Sequence, residues 1–234
     1  MLGNWPALED SRMKPHTFNI LGIAGSVRPR SHSRAGLHAA SQLLPPGALL
    51  SIYVLDDFAA MHSNASGARV APCVAELKRR VRDADAVLFA VPEYLHGLLN
   101  LLDYALEQVV HPWHDNPLAD KHVAVIGATE APTGSTRAQF HFHHTLLDLG
   151  MQPVDQPAVL ICDARHAFDP DGGLLNPALR HQVRALIAGL VEQQRRSPSA
   201  QTAPASSPAT TASPALQRKA PFAIGNSHPA APAT

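Results

Sequence analysis

Five short apolar runs punctuate the chain, and between them lie longer stretches whose apolar residues recur every three or four positions. The runs are Ile20 to Ala24, Leu49 to Leu55, Ala86 to Pro92, His122 to Ala128 and Ala158 to Cys162. Consecutive apolar and partly β-branched positions predict strands buried on both faces of a parallel sheet. Ser31 and Ser33 are good caps for a helix over about residues 33–44, which stops before Pro45-Pro46-Gly47. Val70, Val74, Leu77 and Val81 predict an amphipathic helix over 71–82 with Lys78, Arg79 and Arg82 outward, whereas 58–69 has no period and reads as a loop. The stretch 98–110 is apolar on more than one face, with Leu98, Leu99, Leu101, Leu102, Leu106 and Val109. One face can cover the sheet, and the other is expected to meet a second subunit. A further helix runs to Leu149 and is closed by Gly150, and Asn176-Pro177 opens a last one with Val183, Leu186, Ile187 and Leu190 on one face. Strands that alternate with helices predict an α/β three-layer sandwich: a five-stranded parallel sheet with helices on both faces and right-handed crossovers.

Composition changes the picture mainly at the two ends. Residues 1–17 read as a flexible lead-in, and 197–234 is mostly Pro, Ala, Ser and Thr, too poor in large apolar side chains to offset the entropy of ordering. The folded domain is therefore expected at 18–196. Lys plus Arg balances Asp plus Glu at 19 each, so no overall field draws the chain to nucleic acid or to an anionic membrane. Without a secretory signal or an apolar stretch long enough for a membrane span, the cytoplasm is the expected compartment. Cys73 and Cys162 stand far apart and read as plain packing residues.

The chemistry gathers at strand ends, where parallel sheets bind their ligands. After the first strand come Gly25-Ser26-Val27-Arg28-Pro29-Arg30-Ser31-His32-Ser33, a turn dense in hydroxyls and arginines that leads into a helix start. Unpaired N–H groups and the positive dipole end there suit a phosphate. In the strand order 2-1-3-4-5, the strands numbered one, three and four are neighbours, so this cradle would converge with Pro92-Glu93-Tyr94 and with the loop from Ala128 to Ser135. No G-K-[ST] follows the cradle, which excludes a Walker loop. A Rossmann site with Asp56 or Asp57 on the ribose lacks its G-x-G-x-x-G. The His111/His114 and His141/His144 pairs come without a carboxylate or thiolate at ligand spacing, and Arg30 and Arg34 read as solvated surface or as contacts for a nucleotide 2′-phosphate.

Over about residues 18–192 the chain resembles the NADPH-dependent FMN reductase family, which includes quinone, chromate and azo-compound reductases. Gly25-Ser26-Val27-Arg28-x-x-Ser31-x-Ser33 is similar to its G-S-L-R-x-x-S-x-N phosphate loop, with serine where the family commonly has asparagine. Pro92-Glu93-Tyr94 matches the opening of its second signature, after which the chain departs from the family. Gly127-Ala128-Thr129 with Gly134-x-x-Arg137-Ala138-Gln139 resembles the third. The resemblance implies a flavodoxin-like fold with FMN as cofactor and NADPH or NADH as reductant. It implies Ser26, Arg28, Ser31 and Ser33 on the FMN phosphate, Pro92, Glu93, Tyr94, Leu95 and His96 along the isoalloxazine, and Thr129 to Gly134 on its pyrimidine side. A small-molecule electron acceptor such as a quinone or flavin, and a homodimer or homotetramer, follow from the same resemblance. No protein acid or base is expected to be catalytic, because the cofactor carries the chemistry. The alternative is a non-catalytic flavodoxin-like FMN-binding carrier that acts through partner contacts.

Overall fold

Side-chain alternation along three adjacent strands sorts the molecule into layers. The computed structural model describes residues 17–28, 31–63, 72–92, 98–131, 136–155 and 159–196, without the side chains at 61–63, 98–100 and 136–141. Strand β1 (Phe18–Ala24) pairs in parallel with β2 (Ala48–Val54) on one side and β3 (Ala86–Pro92) on the other, and β3 pairs with β4 (His122–Ala128). On β3, Val87, Phe89 and Val91 face one layer while Ala86, Leu88 and Ala90 face the other. Strand β4 repeats this with Val123 and Val125 against Ala124, Ile126 and Ala128. The side with the larger residues is covered by α2 (Asp56–Ser63), α3 (Pro72–Asp83), α4 (Leu98–Val110) and α5 (Thr136–Asp148). Here Phe142 of α5 meets Phe89 edge to face at 5.3 Å, worth about 0.5–1.5 kcal/mol beyond the area buried. The alanine-rich side takes α1 (His32–Ser41) and α6 (Pro177–Arg196).

The order β2-β1-β3-β4 is the expected one, but the place of a fifth strand is shared by two short pieces. β5 (Gln152–Pro153) pairs with His122 and Val123, and β6 (Val159–Ile161) pairs with Ile126, Gly127 and Ala128. Pro153 has no N–H to donate, which suits the edge of a sheet and a strand that does not continue. The sequence reading detected β6 and missed β5, because two residues make no pattern.

Two local readings change. Residues 58–63, expected as the start of a loop, belong to α2, whose first turn holds Asp56 and Asp57 at the favourable dipole end and whose Phe58 is fully buried. With Phe58 the one large side chain buried among its described residues, such a helix leaves little period to detect; residues 64–69 lie outside the described residues. Lys78 was expected outward and is buried. The segment after α4 folds across α3, so that Lys78 Nζ donates to the carbonyl of His111 at 2.5 Å and pairs with Asp115 at 3.3 Å. On α4, Leu101, Leu102, Ala105, Leu106, Val109 and Val110 are buried in the same cluster as Phe58, Val74 and Leu77, while the side chains of Leu98 and Leu99 lie outside the description.

Other readings stand. Asn176 Oδ1 accepts from the amide of Ala178 at 2.8 Å and caps α6. Gly150, with φ at +80°, closes α5 by a Schellman pair: its own amide donates to Leu147 and that of Met151 to Leu146. Cys73 is buried on α3, where burial pushes its thiol up and away from reactivity, and Cys162 is half-buried just past β6. Among the described residues no helix is long and apolar enough to cross a membrane.

Candidate functional site

The carboxyl ends of β1, β3 and β4 lie side by side, and the chain leaving β1 is held to β3 immediately. The amide of Gly25 donates to Ala90 O at 2.9 Å. A Cβ at Gly25 would stand 3.1 Å from Pro92 Cδ, 3.2 Å from Ala90 O and 3.4 Å from Leu102 Cδ2. Close approach, rather than a left-handed backbone, is therefore what requires glycine here. Pro92, half-buried at the end of β3, is the residue that fills this space.

Beyond Gly25 the turn is built from its own hydroxyls. Ser26 is buried, and its Oγ accepts from the amide of Arg28 at 3.4 Å, while the Arg28 side chain is exposed. The amide of Ser31 donates back to Arg28 O at 3.1 Å. Ser31 is the N-cap of α1, its Oγ accepting from the amide of Arg34 at 3.1 Å. That bond uses an Oγ lone pair and leaves the Ser31 hydroxyl hydrogen able to donate elsewhere. Ser33, in the first turn of α1, is 1% exposed, and its Oγ has no hydrogen-bond partner among the described residues. The helix therefore starts one residue earlier than its hydroxyl pattern predicts, and Ser33 is released from capping.

On the β4 side, Thr129 is buried and structurally occupied. Its amide donates to Ile161 O at 2.9 Å, its carbonyl accepts from Ala164 at 2.8 Å, and its Oγ1 accepts from the amide of Ala131 at 2.9 Å. The loops after β4 and β6 are thus bonded to each other. Sequence reasoning did not single out Glu130, which follows Thr129. Its Oε1 accepts from His32 Nε2 at 2.9 Å and its Oε2 from Arg165 Nη2 at 2.8 Å. The hydrogen bonds from His32 and then Arg165 hold the Glu130 carboxyl below the usual carboxylate range. No spacing signal could have found a pair 98 positions apart. Of the expected site residues, Ser26, Arg28, Ser31, Ser33, Pro92 and Thr129 come together at this edge. Glu93, Tyr94, Leu95, His96 and Gly134 lie outside the described residues.

A parallel sheet of this order with helices on both faces, and a hydroxyl-lined helix start at its carboxyl edge beside the middle strands, defines a flavodoxin-like protein. The match to known proteins narrows that class: residues 18–166 fit the NADPH-dependent FMN reductase family. An NAD(P)H-dependent FMN reductase of Pseudomonas aeruginosa is 32% identical over 179 residues, covering 76% of this chain and 96% of its own. A quinone reductase of Pseudomonas putida is 25% identical over 170 residues, 73% of this chain and 91% of its own. Among solved structures, the flavoenzyme NAD(P)H:(acceptor) oxidoreductase FerB of Paracoccus denitrificans superposes with a TM-score of 0.59 at 22% identity, over 75% of this chain and 98% of that one. That last likeness bears on the fold alone. The chain belongs to the NADPH-dependent FMN reductase family, and with it to the FMN-dependent NAD(P)H oxidoreductases.

Proposed function

We propose that the carboxyl edge of this sheet binds FMN, with its phosphate at the start of α1, for hydride traffic from NADPH or NADH to a small acceptor such as a quinone or a flavin. The observation that carries this reading is the buried, unpartnered hydroxyl of Ser33. A buried polar group without a partner costs roughly 1–3 kcal/mol, and with none among the described residues the reading supplies one from a bound ligand. The first amides of α1 lack intrahelical acceptors and stand at the positive end of the helix, so the acceptor that fits is an anion. Ser26, Ser31 and Ser33 would hold the phosphate by their hydroxyls, and the exposed Arg28 would add a charge-assisted bond.

When bound, FMN supplies the hydride chemistry, and no side chain has to act as acid or base for that step. The chain's own residues bind and orient. Gly25 brings the cradle against Pro92, which fixes the distance between the phosphate end of the site and the end of β3. By family resemblance, Pro92 to His96 would line the flavin ring, and Thr129 to Gly134 would close its pyrimidine side. The same resemblance supports a homodimer or homotetramer acting in the cytoplasm. The described apolar residues of α4, being covered within the chain, add no separate support for that assembly.

The purified protein should be yellow, or become so with FMN, and its visible bands should bleach with NADPH or NADH. A colourless protein that takes up no FMN would reject the reading. Ser33→Ala should weaken FMN binding by about 10- to 150-fold, the loss of one hydrogen bond to a charged group. It should leave the FMN-free protein as stable or more so, because it removes a buried hydroxyl that nothing satisfies. Isothermal titration and a thermal melt of the same variant check both halves.

A further inference from the structure

Three charged or chargeable side chains meet where the segments after β1, β4 and β6 adjoin. His32 is the first residue of α1, Glu130 follows the Thr129 turn, and Arg165 follows Ala164. Both oxygens of the Glu130 carboxylate are engaged, one by each partner, at 2.9 and 2.8 Å. Exposed pairs of this kind contribute little to folding. This one differs in what anchors it. The backbone on either side of Glu130 is tied down by the amide of Ala131 on Thr129 Oγ1 and the amide of Asp163 on Ala131 O, and Ala164 donates to Thr129 O. Glu130 and Arg165 thus stand on two loops already bonded together, and Glu130 reaches from that platform to the ring at the start of α1.

An acid at this edge would repel a phosphate if its charge were unspent. Here the charge is shared between His32 and Arg165, and the carboxylate accordingly sits below its usual range. What remains is a mechanical tie on the turn that carries the Ser33 hydroxyl. Its partner residue, His32, lies between the cap Ser31 and Ser33 itself.

We propose that Glu130 is a positioning residue for the phosphate cradle: through His32 it fixes the first turn of α1, so that the amides of that turn and the Ser33 hydroxyl keep a constant aim at a phosphate monoester. Arg165 completes the tie by holding the second carboxylate oxygen. The inference rests on the FMN reading above and adds a consequence that reading does not contain. A flavin without a phosphate gains nothing from an ordered cradle, so the tie discriminates FMN from riboflavin.

The test is to titrate wild type, Glu130→Ala, Glu130→Gln, His32→Ala and the double alanine variant with FMN and with riboflavin, following flavin fluorescence at fixed ionic strength. Each FMN-free protein is melted in parallel. Glu130→Ala should bind FMN about two- to fivefold more weakly, the range of an exposed charge-assisted pair. Any loss of riboflavin affinity should be smaller than the FMN loss, and its melting temperature should match wild type. Glu130→Gln, which can still accept from His32, should recover part of the loss. The double variant should bind FMN no more weakly than His32→Ala alone, since the two residues act as one unit. Equal losses for FMN and riboflavin, an unchanged FMN affinity in Glu130→Ala, or additive effects in the double variant would each overturn the proposal. A wild-type protein that takes up neither flavin overturns the FMN reading and this inference together, and the two failures are told apart by that control.

Discussion

Tyr53 shows how one buried residue ties stability to pH. It is 9% exposed on β2, its hydroxyl donates to the carbonyl of Cys73 at 3.5 Å, and the Arg80 guanidinium lies 5.3 Å from its ring centroid. Burial, chiefly, pushes its phenol up to about 12, with smaller contributions from Cys73 and Asp57. The folded protein therefore holds the phenolic proton more tightly than the unfolded chain, whose value is near 10. That contribution to stability is fully present below pH 10 and is lost as pH rises through about 12. Tyr53→Phe should cost no more than about 1 kcal/mol near pH 8, the value of a long hydrogen bond. Between pH 10 and 12 its urea midpoint should decline less steeply than that of wild type. Parallel declines would show that another group titrates there.

Among the elements, α1 is the one that sets the site, and its own sequence is not optimised for helix. Gly36 lies in its interior, where glycine costs about 1 kcal/mol relative to alanine. A Cβ at Gly36 would meet Ile126 Cγ2 and Ile161 Cδ1 at 3.6 Å each, ordinary contact distances. Gly36→Ala should accordingly stabilise the protein by about 0.5–1 kcal/mol, visible as a rise of roughly 1–4 °C in melting temperature. A fall would mean that the added methyl does not pack against Ile126 and Ile161 as their 3.6 Å distances imply. Element length also explains what was legible in the chain. The seven-residue strands β1, β3 and β4 and the helices α3, α4 and α6 each carry enough periodic positions to identify themselves. The two-residue β5 and the eight-residue α2 do not, since their place is decided by neighbours: β4 for one, the cluster around Phe58 for the other.

For the whole molecule, we propose that the folded unit ends with α6, whose inward face runs from Val183 to Gln194. Beyond it Leu216, Phe222 and Ile224 are the only large apolar residues, too few to build a core. Removing 197–234 should leave the melting temperature within a degree or two of the full chain by calorimetry. A drop of several degrees would show that this segment packs on the domain. The sequence by itself determined the alternation of strands and helices, hence the parallel sheet, and the hydroxyl-rich turn after β1, because periodicity and turn chemistry are local properties of a chain. Packing in three dimensions settled which hydroxyls at this edge are occupied, Ser31 by capping and Thr129 by its loop after β4, and which is left without a partner among the described residues, Ser33. It also decided that His32 would meet Glu130 and that Lys78 would be covered. These outcomes depend on which loops the sheet order brings together, and strand order is settled by burial across the whole molecule, far beyond the reach of any local pattern.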